Sequence, residues 1–370
     1  MKLLIIQPYL TTRGGAERVI LQIAKHYDSK IYTLSYDKKT TFRDFEELEI
    51  KTLNKGYIPT SGLFQNIGLV SKLYNTKINE DYDVLNAHLA PSELIRNKNQ
   101  RVLWYCHDTP LRFVYDQYGK SYTAKLLHAT LYNTYRRLDK SVVKNIERII
   151  TNSAYVKENV EKYFNKEAKV IHPGIDYKEF SNERYGKYFL CISRIASNKN
   201  QKFAIDSYTQ FIKRTQKKEY KLIIAGSISR NSEDLRYLTY LKERSKDLNI
   251  QFKINLGEKE IKNLYSNAFA VLFTSSYESF GLVPLEAMAS SKPVIALDSG
   301  GIRETIINNK TGFIVKSEEE MSKYMKYLIE NQNELETMGK EGRKLVEREY
   351  SWNNFFKKFD KYIQEVYKSY

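Results

Sequence analysis

Short runs rich in β-branched residues alternate with helical stretches along nearly the whole chain, and that alternation admits few folds. Strands separated by crossover helices build parallel sheets from βαβ units. The candidate strands of the first half are 2–7 (KLLIIQ), 30–35, 47–53, 83–88, 101–106, 148–153 and 168–173, with helices between them, notably over 15–27 and 120–145. After residue 186 the pattern restarts, with strands at 187–193, 220–226, 250–255, 269–275, 292–297 and 312–316. A chain of 370 residues is also too long for one small core. The restart therefore predicts an α/β protein of two Rossmann-like, doubly wound domains in tandem. The stretch HPGIDYKEFSNERYG (172–186) carries Pro and Gly but no apolar run, and it is the natural linker.

Composition narrows the partner. The 60 Lys+Arg against 44 Asp+Glu leave a net charge of +16, which suits nucleic acid, a phosphorylated metabolite or an anionic membrane face. Compositional drift explains the same charge, since Lys, Ile, Asn and Tyr are high together. A nucleic-acid-binding module needs its charge in a stripe with aromatics in a recognised motif, and none is present, so no nucleic-acid partner is expected. The two cysteines, Cys106 and Cys191, sit in apolar runs without metal-site or redox spacing, as expected for a reduced, cytoplasmic compartment. The opening MKLLIIQPYL is too short in apolar residues for a signal peptide, and no segment reaches the roughly 20 apolar residues that span a bilayer. Any membrane contact is thus expected at the surface, on the cytoplasmic face.

In open α/β sheets, ligands bind beyond the carboxyl ends of the strands. Two sheets facing each other by those edges are expected to enclose a cleft. After the first strand, Gly14-Gly15 opens a helix whose backbone N–H groups suit an anion, although the spacing is not the GxGxxG of dinucleotide binders. His88 ends one strand, and His107 with Asp108 follows the next, so two imidazoles stand at neighbouring strand tips. In the second half, Arg194 follows a strand and Lys199 stands at a helix start, where two cations and the helix dipole together fit a diphosphate.

The stretch YESFGLVPLEAM carries Glu278 and Glu286 with seven residues between them. Pro284 is expected at the first helical position, which puts Glu286 at the third. There two readings stand: a carboxylate that caps the helix, or a bidentate acceptor for a vicinal diol such as ribose. Glu278, before the glycine, can accept from another hydroxylated group, while the amides of Phe280, Gly281 and Leu282 face an anion. Gly300-Gly301 with Glu304 repeats the device and reads as packing.

Together, the glycine pair, HDTP, HPGID, SRIASNKN, YESFGLVPLEAMASSKPVIALDSGGIRE and the closing YSW resemble the retaining glycosyltransferases of family 4, with the GT-B fold. The resemblance covers essentially the whole chain. It implies that Glu278 contacts the donor hexose together with Phe280, Gly281 and His107, that Glu278 and His107 serve catalysis, and that Glu286 takes the ribose. It further implies a diphosphate site formed by Arg194, Lys199, Gly15, Gly281 and Leu282, with Gly14, His88 and Asp108 on the acceptor side. The implied domains are an acceptor-binding one over 1–174, joined by a terminal helix (353–370), and a nucleotide-sugar-binding one over 175–352. Departures from the common family form are Pro-Gly at the linker in place of Pro-Asn-Gly, and Asn200 in place of the glycine after the lysine.

HDTPLRFVYD and GLVPLEAMASSKPVIALDSGGIRET look closest to the mannosyltransferase branch that extends lipid-linked or surface polysaccharides. GDP-mannose is the favoured donor, with UDP-glucose or another UDP-hexose as the alternative, and a glycan or lipid-linked saccharide as acceptor. The base is expected near Ile254 to Glu258. More remote readings are a nucleotide-sugar epimerase on the same fold, a phosphorylase, or a nucleic-acid module. No cofactor and no metal are expected: Asp81-Tyr82-Asp83 resembles a metal-binding DxD motif but precedes its strand instead of following it. The segment 120–148 has seven Lys+Arg against two acids at amphipathic spacing, which suits either a core helix with a basic outer side or contact with an anionic membrane.

Overall fold

The computed structural model describes residues 1–53, 63–95, 101–108, 134, 136–229 and 232–368. The chain forms two compact units, Met1–His172 with Phe356–Tyr370, and Pro173–Phe355. In the first, strands β1 (Leu3–Leu10), β2 (Lys30–Tyr36), β3 (Ile50–Thr52), β4 (Val84–His88), β5 (Arg101–Cys106), β6 (Arg148–Thr151) and β7 (Lys169–Val170) make a sheet in the order β3-β2-β1-β4-β5-β6-β7. Each neighbouring pair is parallel. The second unit holds β8 (Tyr188–Ile192), β9 (Lys221–Gly226), β10 (Ile250–Ile254), β11 (Ala270–Phe273), β12 (Val294–Leu297) and β13 (Gly312–Val315), in the order β10-β9-β8-β11-β12-β13. These pairs are also parallel.

Every strand expected from the sequence is present, several of them shortened, including the central 269–275, which contracts to Ala270–Phe273. The expected 47–53 contracts to Ile50–Thr52 because Arg43–Glu47 closes into a 3₁₀ turn ahead of it. The expected 168–173 contracts to Lys169–Val170, which pairs on one side only. Central strands are buried on both faces, as in β4, where all five residues are buried. Both units reverse strand order beside their first strand, between β1 and β4 and between β8 and β11, and it is at such switch points that doubly wound sheets open a crevice for ligands.

The first helix, Gly15–Tyr27, forms as the periodicity predicts, burying Val19, Ile20, Ile23 and Ala24 on one face. It stops where Asp28 turns left-handed (φ 49°) and its N–H returns to the carbonyl of Ala24. The expected helix over 120–145 lies mostly outside the described residues; 136–143 are helical. In the terminal helix, Trp352–Lys368, the residues Phe359, Ile363 and Val366 are buried at helical spacing. Within the first unit, Asp360 of this helix accepts a hydrogen bond from Tyr27 at 2.5 Å, and Phe356 stacks on His26 at 3.9 Å. The core of the second unit centres on Phe189, whose ring meets Phe211 and Phe269 edge-on at 5.4 and 5.6 Å.

Candidate active site

The second unit carries its polar residues at the β8/β11 switch point. After β8, the fully buried Gln201 donates to Ser193 Oγ and to the Arg194 carbonyl, both at 2.8 Å, which fixes the loop while the Arg194 side chain remains exposed. A 3₁₀ turn over Ser197–Lys199 ends at Asn200, whose φ of 53° is left-handed. Asparagine is among the few residues with a side chain that enter that region readily, so it fills a position that suits glycine.

The loop after β11 is tied to this turn. Thr274 Oγ1 donates to the Lys199 carbonyl at 3.0 Å, and the Ser276 N–H donates to the Asn198 carbonyl at 3.2 Å. These bonds set Lys199 Nζ 2.9 Å from Glu278 Oε2 and 3.5 Å from Ser275 Oγ. The pair is mostly buried, with side chains 23% and 17% exposed. The loop after β12 supports it from behind: Ser299 Oγ donates to the Ser275 carbonyl at 2.7 Å, and the Gly301 N–H to the Glu278 carbonyl at 2.9 Å. A side chain at 301 would lie 2.3 Å from the Ser279 carbonyl, so only glycine permits this approach.

The helix behind the glutamate motif is Leu282–Ala289, and its N-cap is Gly281 at φ 103°. The helix thus begins two residues before Pro284, contrary to the sequence expectation, because glycine's positive φ turns the chain into the helix early. Pro284 is tolerated in the first turn, where its missing N–H has no intrahelical acceptor. Glu286 then lies in the second turn, out of reach of the N-cap, and the capping reading is removed. Its buried carboxylate accepts from the Tyr265 hydroxyl at 2.8 Å. The Phe280 side chain is in the core against Tyr350.

In the first unit, His88 and His107 meet. His88 Nδ1 lies 2.8 Å from His107 Nε2, and His88 Nε2 lies 2.8 Å from Asn86 Oδ1. Both rings are buried, and burial pushes His107 down to about 3 and His88 well below its ordinary pKa, so both are neutral. The Asp108 carbonyl accepts from the Cys106 thiol at 2.9 Å. At Gly14-Gly15 the helix N-terminus faces the chain's own carboxylate. Buried Glu17 accepts from Thr12 Oγ1 at 2.8 Å and from the backbone N–H of Gly14, while burial raises its pKa. Asp81 and Asp83 engage Lys2, the first through its ammonium at 2.9 Å and the second through its backbone N–H at 2.6 Å. Among the described residues, no cluster of three or more His, Cys, Asp or Glu is arranged to hold a metal.

The sequence profile of Glycosyl transferases group 1 matches residues 176–345, and that of Glycosyltransferase Family 4 matches residues 13–179. The chain belongs to the family 4 glycosyltransferases. Similar proteins include alpha-1,3/1,6-mannosyltransferase ALG2 of Dictyostelium discoideum, 23% identical over 95% of this chain and 96% of that protein. ALG2 of Mus musculus is 27% identical over 95% of this chain and 94% of that protein. Among solved structures, Anabaena HepE in complex with UDP and glucose aligns at a TM-score of 0.78 with 18% identity, over 98% of this chain and 99% of that one. These likenesses, with the two parallel sheets, give this glycosyltransferase the GT-B fold.

Three residues that contact the candidate side chains or their loops were not named from the sequence. Tyr265 comes from a helix more than a dozen residues upstream of Glu286, and no local pattern announces the contact. Asn86 was legible in principle, since it lies two residues before His88 on one face of a strand. Glu17 had a signal in its first-turn position. Tyr265→Phe removes the hydroxyl donor to a buried carboxylate and should cost about 1–3 kcal/mol. A lowered midpoint of the second unit's urea transition is the expected readout, and an unchanged midpoint shows that Tyr265 does not hold Glu286.

Proposed function

We propose that this family 4 glycosyltransferase moves mannose from GDP-mannose to a glycan or lipid-linked saccharide, with retention of anomeric configuration and without a metal. The observation that carries the donor site is the Lys199–Glu278 contact of 2.9 Å at the β8/β11 switch point. It brings a cation for phosphate and a carboxylate for sugar hydroxyls to one strand edge. Arg194, exposed and without an ion-pair partner among the described residues, supplies a second cation to the diphosphate. Glu286 takes the ribose hydroxyls, its carboxylate oriented by the Tyr265 hydroxyl. As the glycosidic bond breaks, charge builds on the leaving diphosphate, and fixed cations stabilise it at little reorganisation cost. Glu278 and the backbone at Gly281–Leu282 orient the hexose, and His107 accepts from a substrate hydroxyl. The preference for mannose rests on the names of the ALG2 relatives.

Glu278→Ala should lower kcat with GDP-mannose by about 10²-fold, the scale of a lost charge-stabilising contact, while the protein still folds, with a thermal midpoint lowered because Lys199 loses its partner. Near-normal turnover excludes the role given to Glu278. Turnover with UDP-glucose in place of GDP-mannose moves the donor to the alternative, and activity abolished by EDTA and restored by manganese contradicts the metal-free reading.

The acceptor side includes peripheral contact with an anionic membrane through the segment 120–148, of which 136–148 lie among the described residues. There Arg136, Arg137, Lys144 and Arg148 are exposed while Val143 and Ile146 are buried. No described helix is long and apolar enough to cross a membrane. Co-sedimentation with liposomes should rise with anionic lipid content and fall with salt; binding insensitive to both contradicts this surface.

A further inference from the structure

The hydrogen bonds around His107 have a fixed direction. Asn86 Nδ2 donates to the Leu103 carbonyl at 3.0 Å, and a carbonyl only accepts, so the Asn86 amide oxygen is the atom facing His88. His88 Nε2 must then carry a proton to donate to that oxygen. A neutral imidazole has one N–H, so His88 Nδ1 is an acceptor, and its partner 2.8 Å away, His107 Nε2, is the donor. His107 thereby keeps its lone pair on Nδ1.

The surroundings hold both rings in place. The Tyr105 ring stacks on His88 at 5.6 Å and on His107 at 4.5 Å, and its hydroxyl donates to the Ile171 carbonyl at 2.6 Å. Asn152 Nδ2 donates to the His107 carbonyl at 2.7 Å. Tyr105, stacked on both rings, is followed on β5 by Cys106, and Glu93, Asp108 and Asp139 act on the Cys106 thiol. Burial raises Tyr105 and Cys106, so both stay neutral, and lifts Asp139 to about 7. Among the described residues, the hydrogen bonds of the two rings are those to Asn86 and to each other.

We infer that Asn86 and His88 are positioning residues that hold His107 as its Nε2–H tautomer, so that Nδ1 accepts a hydrogen bond from a saccharide hydroxyl. This rests on the assignment of His107 to substrate made above. It adds two residues, and it gives the contact a direction: the protein accepts and the sugar donates. A carbonyl or phosphate oxygen, which only accepts, is excluded at that position.

The test reads the tautomer without turnover. In the full chain labelled with ¹⁵N-histidine, two-bond nitrogen–proton correlations should show His107 and His88 both protonated at Nε2; an Nδ1–H signal at His107 overturns the inference whatever His107 does. Asn86→Asp then replaces the amide by a carboxylate of the same shape, which stabilises imidazolium and raises the pKa of the pair. Below that raised pKa, Nδ1 of His107 gains a proton and stops accepting. The parent should show no acidic fall in kcat/KM from this pair above pH ~5, whereas in the variant the fall should set in about 1–3 pH units higher than in the parent and recover on return to pH 8. A variant profile parallel to the parent's overturns the positioning role. His107→Ala with parental turnover, alongside the expected spectra, overturns the substrate assignment instead, and the two failures are thereby distinguishable.

Discussion

Three strand-end loops are tied together by hydrogen bonds to backbone carbonyls, and these bonds set the Lys199–Glu278 pair in place. The pair's own energy is not the point, because desolvation of two largely buried charges offsets much of their attraction. What matters is the framework that sets it. Thr274 and Ser276 bond to the Lys199 turn, and Ser299 and Gly301 bond to the carbonyls of Ser275 and Glu278. A cation and a carboxylate are thus held by backbone geometry at the switch point of a doubly wound sheet, where a diphosphate and a sugar can be met together.

The first unit solves a different problem with the same fold. The ends of its strands β4 and β5 present neutral, buried imidazoles stacked on Tyr105, not exposed charges. Burial keeps them uncharged at ordinary pH, so their contribution is directional hydrogen bonding. Near the helix N-terminus that opens at Gly15, the buried Glu17 carboxylate accepts from Thr12 Oγ1 at 2.8 Å.

Much of this was legible in the sequence because parallel α/β sheets announce themselves through period and punctuation. The strands, the first helix to both ends, and the switch-point loops bearing Arg194, Lys199 and Glu278 followed from apolar runs and the glycines after them. The register at Glu286 did not, since proline preference pointed to 284 as the helix start while Gly281, at φ 103°, began it earlier. Lys292, at the start of the expected strand 292–297, is fully buried, donating to Asn182 Oδ1 at 2.5 Å and the Arg184 carbonyl at 2.6 Å above the Tyr185 ring, an environment its neighbours ASSKPV do not announce. Partners more than a hundred residues away leave no trace in a local pattern. The same limit hid Tyr265 behind Glu286.

In the proposed donor site, the β8/β11 loops bind a nucleoside diphosphate through Arg194 and Lys199. Calorimetric titration of GDP and UDP into the parent and into an Arg194→Ala/Lys199→Ala double variant tests this. One of the two nucleotides should bind the parent with an affinity that falls as salt rises, and the double variant should bind it at least about 100-fold more weakly, two charge-assisted contacts having been lost. Equal affinity in the two proteins would contradict it.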